Sequence, residues 1–341
     1  MITSGTDDER RTLTVGLKGT TVLEIFIISF IPIFYTLIGL FCAIQLHQGL
    51  TFDGLLYVQG TKSLIEGYGL ASLATQHWPP LYLFVVSIPG AIFEVETVAK
   101  VVSVIFSGGF LLLLPILSKL MSGNLVPGIL TQLILAFNPG FLTISLYAEP
   151  YTLEAFLLVL SLIFGFRYVE QGYIGFPWLL IIASSLSALT RYVSLGLIFS
   201  ILLFMFPVVN KSVDRSTYTK MVGLYVLIFA PWIVYNFANY QTLISPYAWN
   251  HVGLGFAKKN LVNFSSGEFI YLKQFHYGNI LSLVWSYPLE FVLQFFMNVA
   301  TLLNWIISGA TPLGFFSWCI VAGLIAAALG SYDAKFYFVW L

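Results

Sequence analysis

The chain has 341 residues, of which 58% are hydrophobic, 17% aromatic and only 9% charged, and its formal net charge is zero. A mean hydropathy of +0.89 excludes a soluble globular domain and a disordered chain, and zero net charge gives no electrostatic basis for nucleic-acid binding. Repeated apolar runs of membrane-spanning length predict an all-α, polytopic transmembrane protein. A β-barrel is excluded, because barrel strands alternate in polarity and these runs do not.

In chain order, residues 1–21 form a polar N-terminal tail, beginning MITSGTDDERRTLTVGLK. The apolar run that follows, 22–46, is too long for a cleaved signal peptide and lacks a small-residue cleavage site, so it is expected to stay as a signal-anchor span. Loop 47–80, HQGLTFDGLLYVQGTKSLIEGYGLASLATQHWPP, holds a predicted interfacial helix over 55–66. The apolar piece 81–93 is too short to cross unaided and reads as a juxtamembrane or partly inserted helix. Spans are predicted at 98–118, 126–146 and 150–166. The stretch 177–208 is too long for one crossing, and Thr190-Arg191 interrupts it, so it divides into two short spans that turn near Arg191. Further spans at 221–239, 289–308 and 313–330 bring the total to about nine.

The organisation is therefore a tail (1–21), a transmembrane module (22–240), a large loop (241–288) and C-terminal spans (289–341). The chain ends SYDAKFYFVWL, which reads as the start of another span or an interfacial tail. Cys42 and Cys319 both sit inside apolar runs and read as core packing.

Lys and Arg in the short loops set the orientation. With the N-terminus cytoplasmic, the inner segments hold Arg10, Arg11, Lys18, Lys119, Arg167, Lys211, Arg215 and Lys220. The outer ones hold Lys62, Lys100, Arg191, Lys258, Lys259 and Lys273, mostly in long loops. This is the pattern of a multi-pass cell-membrane protein. Its outer face collects the first loop, the turn after 126–146, the Arg191 turn and the loop 241–288. Asp53, Glu149 and Arg191 then come together from distant parts of the chain.

Each of these residues has two readings. Asp53 is either a general base at the mouth of a membrane cavity or the N-cap of the helix behind it. Glu149, ahead of Pro150, suits a helix dipole, and it also serves as a second carboxylate facing Asp53. Glu154, a turn deeper, either neutralises Arg191 or meets a substrate. Arg191 either snorkels to the interface or clamps a phosphate through its bidentate guanidinium. Lys62 adds a second cation or pairs with Glu66 one helical turn on. His77 ends the loop in His77-Trp78-Pro79-Pro80 and has no partner at metal-ligand spacing. Asn263-Phe264-Ser265 fits the glycosylation sequon.

Taken in order, these features resemble the GT-C superfamily of polytopic glycosyltransferases, especially the protein O-mannosyltransferase and aminoarabinose transferase branch. The residues that carry the resemblance are Asp53, Tyr57 and Gly67 in the first loop, then Pro79-Pro80-Leu81-Tyr82, Glu149-Pro150, Leu189-Thr190-Arg191, and Pro231-Trp232 with Asn236. They cover roughly residues 20–240. Gly54 stands where many members of the family carry a second acid, and the soluble C-terminal domain or extra spans of larger members are missing.

The resemblance implies a seven-span module, a sugar donor on polyprenyl phosphate, and a lipid, glycan or protein acceptor on the outer face. Asp53 would be the general base of an inverting displacement, with Glu149 beside it. Arg191, Lys62, Tyr57, His77 and Glu154 would bind substrate. No metal site or other cofactor is implied, and assistance by a divalent cation is left open. Competing readings are a lipid or sugar transporter or flippase, and a non-catalytic membrane assembly subunit.

Overall fold

A computed structural model describes residues 22–45, 49–70, 78–172, 175–207, 210 and 212–241, with scattered helical positions between 285 and 300. The N-terminal tail, His77, nearly all of the large loop with Asn263, most of the span at 289–308, the whole of 313–330 and Cys319 lie outside the described residues.

Helix α1, Val22–Gln45, rises about 36 Å, enough to cross a hydrocarbon core of about 30 Å. It is apolar all round, as a lipid-facing helix must be. Ile28, Tyr35 and Ala43 form its buried stripe, while Phe26, Phe30 and Phe34 stack along the opposite, exposed face. Helix α2, Phe52–Ile65, and α3, Leu81–Gly90, follow. At ten residues α3 rises only about 15 Å, half of what a crossing needs.

The central helix is α4, Val95–Ser122, capped by Glu94, whose carboxylate accepts from the backbone N–H groups of Glu96 and Thr97. It packs between α1, to which it runs antiparallel (Gly39 meets Val104, Thr36 meets Gly108), and the later span α7, Tyr151–Glu170, to which it runs parallel (Ser103 meets Glu149, Gly109 meets Phe156).

Between them the sequence pattern predicts one span at 126–146, and here the structure differs. The segment forms two helices, α5, Val126–Ala136, and α6, Pro139–Ser145, bent by 75°. Pro139 disfavours helical backbone at Asn138, which sits extended and caps α6 by accepting from the Phe141 N–H at 3.1 Å. Uniform hydropathy conceals such a break.

The break at Arg191 is present: α8, Trp178–Thr190, ends there, a single 3-10 turn spans Tyr192–Ser194, and α9, Leu195–Phe204, follows. At thirteen and ten residues, though, neither helix is long enough to be the separate span expected of it. Helix α10, Arg215–Tyr240, completes the described bundle. Four of these helices (α1, α4, α7 and α10) are long and apolar enough to cross a membrane, or five spans if α5 and α6 count as one.

Packing follows the rules of a lipid environment, where close backbone approach and interhelical hydrogen bonds replace the hydrophobic drive. A side chain at Gly128 would strike the backbone of Pro115, so α4 and α5 touch main chain to main chain. Gln132, fully buried, donates to the carbonyls of Ile28 at 2.9 Å and Leu111 at 3.2 Å, bracing three helices. Tyr35, Ser145 and Ser107 link α1, α6 and α4 at 2.6 and 2.7 Å, and Ser184 meets Tyr225 at 2.9 Å. One apolar cluster, including Tyr57, Tyr82, Val98, Ala148 and Leu153, seals the end of the bundle where α2 and α3 lie. A second, around Phe166, Ile181, Met205 and Met221, fills the other half.

Candidate functional site

Helix α2 begins with Thr51, not Asp53. Thr51 is extended, and its hydroxyl oxygen accepts from the Gly54 N–H at 2.9 Å, satisfying one of the free donors of the first turn. Asp53 therefore lies inside the first turn, half-buried, and its carboxylate is not the cap. The Thr51 hydroxyl donates its proton to Glu149 Oε1. Gly54 presses on the carbonyl of Tyr147, where any Cβ would overlap that oxygen. The start of α2 thus docks on the turn that precedes α7.

That turn is unusual in its backbone. Ala148 is fully buried at φ 56°, in the left-handed region that residues with a side chain seldom occupy. Glu149 follows, only 5% exposed, with its backbone carbonyl accepting from Ser103 Oγ at 3.1 Å. Pro150, which lacks an N–H, then opens α7. Burial pushes the Glu149 carboxyl above its ordinary range, and the Asp53 charge pushes the same way. The Thr51 hydroxyl, Tyr151 and the Arg191 charge oppose them.

Arg191 follows the last residue of α8 with extended backbone, its N–H on the Ser187 carbonyl at 3.1 Å. Its guanidinium sits 4.3 Å from the Tyr151 ring centroid, and Nη1 lies 3.6 Å from Glu154 Oε2. The other Glu154 oxygen accepts from Ser194 Oγ at 2.6 Å. Of the two sequence readings of Glu154, the ion pair is present. Arg191 keeps a quarter of its side chain exposed.

Tyr57, a turn beyond Asp53, is stacked on Trp78 at 5.1 Å and meets the edge of Tyr82 at 5.3 Å. Its hydroxyl is buried without a hydrogen-bond partner, and burial holds its pKa well above the usual phenol value. The charges of Arg191 and Asp53 both reach it.

Lys62 is nine residues beyond Asp53, about 14 Å further along α2. Its charge acts on Glu94, it makes no pair with Glu66, and the structure does not bring it to Arg191. The Pro231-Trp232-Asn236 motif does reach the site: Trp232 Nε1 donates to the Tyr192 hydroxyl at 3.0 Å, and Asn236 bonds the same hydroxyl, beside Arg191.

Thr51, Ser103, Ala148, Tyr151 and Ser194 were not singled out from the sequence. Only Thr51 carried a signal, a capping residue just ahead of a helical run. Among the described residues no group of three or more His, Cys, Asp or Glu could hold a metal ion. Comparison with family models, curated proteins and solved structures finds no match.

Proposed function

We propose that this chain is a membrane glycosyltransferase of the GT-C type, moving a sugar from a polyprenyl-phosphate donor to an acceptor hydroxyl on the outer face of the cell membrane. The observation that carries the reading is that the segments bearing Asp53, Glu149 and Arg191, distant in sequence, meet at one end of a helical bundle through Thr51 on Glu149, Gly54 on Tyr147 and Arg191 over Tyr151. The acceptor is a lipid, glycan or protein.

In this reading Asp53 takes the proton of the acceptor hydroxyl. The acceptor oxygen bonds to the anomeric carbon while the bond from that carbon to the phosphate oxygen breaks, and the electron pair leaves on the phosphate. The anomeric configuration inverts. Arg191 stabilises the charge growing on the departing phosphate, and Glu149 holds the acceptor or sugar. The prenyl tail lies along apolar helix faces such as that of Phe26, Phe30 and Phe34.

The test is transfer from labelled polyprenyl-phosphate sugars in proteoliposomes. Asp53→Asn should cut the rate about 10²- to 10⁴-fold, the usual contribution of a general base. A variant as fast as wild type removes Asp53 from the chemistry. Mass spectrometry of co-purifying lipids identifies the donor.

One observation favours a second reading, a lipid or sugar transporter. The 75° break between α5 and α6 is the kind of discontinuous helix that lines transport sites. Counterflow of labelled substrate without bond formation would establish it.

A further inference from the structure

A single hydroxyl serves two segments of the candidate site. Thr51 Oγ1 accepts from Gly54 N–H at 2.9 Å through a lone pair, which leaves its one proton for Glu149 Oε1. Around that bond the backbone is tightly constrained. Gly54 lies against the Tyr147 carbonyl, and the next residue, Ala148, holds a left-handed conformation that its side chain disfavours. Such a conformation persists where the surroundings over-determine it, and the first turn of α2 is the neighbour pressed against this one.

We propose that Thr51 is a positioning residue, a hydroxyl latch that fixes the Glu149 carboxylate against the first turn of α2 so that Asp53 and Glu149 act as one unit. The inference deepens the transferase reading and rests on it for the reaction that the pair serves, but the latch itself is a property of the fold.

The groups that face Glu149 come from four elements. Asp53 on α2 opposes its charge, and Arg191 after α8 favours it. Tyr151 on α7 hydrogen-bonds it, and Tyr82 on α3 feels its charge. Against this background the Thr51 hydroxyl is a donor to the ionised form, so its loss weakens a charge-assisted bond and favours the protonated acid.

Infrared difference spectroscopy of the full-length protein in nanodiscs follows the protonated-carboxyl band, assigned to Glu149 by its absence in Glu149→Gln. In Thr51→Val the band should titrate about one pH unit higher than in wild type, a tenfold change in proton affinity. Thr51→Ser, which keeps the hydroxyl, should return it to the wild-type position. Thr51→Ala repeats the test without valine's extra methyl against the turn. An unchanged titration in both Val and Ala variants, or a Ser variant that fails to restore it, overturns the latch. Transfer assays on the same samples separate the two ideas. A shifted titration in a protein that transfers no polyprenyl-linked sugar keeps the latch and removes the transferase, whereas an active protein with an unmoved titration does the reverse.

Discussion

The guanidinium of Arg191 lies over the ring of Tyr151, 4.3 Å from its centroid, at the point where α8 gives way to a 3-10 turn. The stacking leaves the edge of the cation for Glu154, whose carboxylate sits 3.6 Å away and is only 13% exposed. One cation thus joins the start of α7 to the end of α8.

Removing that cation strands the carboxylate. Arg191→Ala should lower stability by about 1–3 kcal/mol, the cost of leaving a mostly buried acceptor without its partner, discounted for the exposed quarter of Arg191. Adding Glu154→Gln should recover much of the loss, because the stranded charge is gone and the amide oxygen still accepts from Ser194. A double-mutant cycle on thermal unfolding in detergent measures this. Purely additive losses would mean that the pair contributes nothing.

What could be read in advance, and what could not, follows from the range of each signal. The break at Arg191 was legible because a charge interrupts an apolar run too long for one crossing. The break at Asn138 was also written, as Asn-Pro, but the apolar run continues through it and a hydropathy window passes over the dipeptide. Thr51 and Asp53 are both capping residue types two positions apart, so local chemistry could not choose between them. The choice is made by the contact of Gly54 with Tyr147, more than 90 residues away. Gly54 itself, noted as a departure where the family pattern has an acid, has its reason in the same contact. Tertiary neighbours likewise decide the Glu154–Arg191 pair and the left-handed Ala148, which no periodicity reports.

That contact gives a second prediction. Gly54→Ala puts a methyl group onto the Tyr147 carbonyl oxygen, a backbone atom that cannot swing aside. Overpacking of this kind should cost about 1–3 kcal/mol, and the displaced α2 should carry Asp53 away from Glu149, lowering transfer as well. Gly49→Ala is the control, since a methyl there meets nothing within 4 Å. Equal melting temperatures for the two variants would show that α2 does not dock through Gly54.

The third prediction concerns pH. Burial, reinforced by Asp53, holds the Glu149 carboxyl above its ordinary value of 4.5. The folded state therefore binds this proton more tightly than the unfolded chain does. The resulting stabilisation is fully present below the unfolded value and is lost as pH rises through the raised folded value. Glu149→Gln cannot ionise, yet its amide oxygen still accepts from Thr51. The gap in Tm between Glu149→Gln and wild type should therefore widen in favour of the variant as pH climbs from 4.5 through that window, then level off. Transfer activity should run the other way, rising over the same window as the carboxylate forms and showing no such limb in the variant. A Tm gap independent of pH would mean that Glu149 ionises as freely in the fold as in the unfolded chain, and that the turn at Ala148 does not shield it.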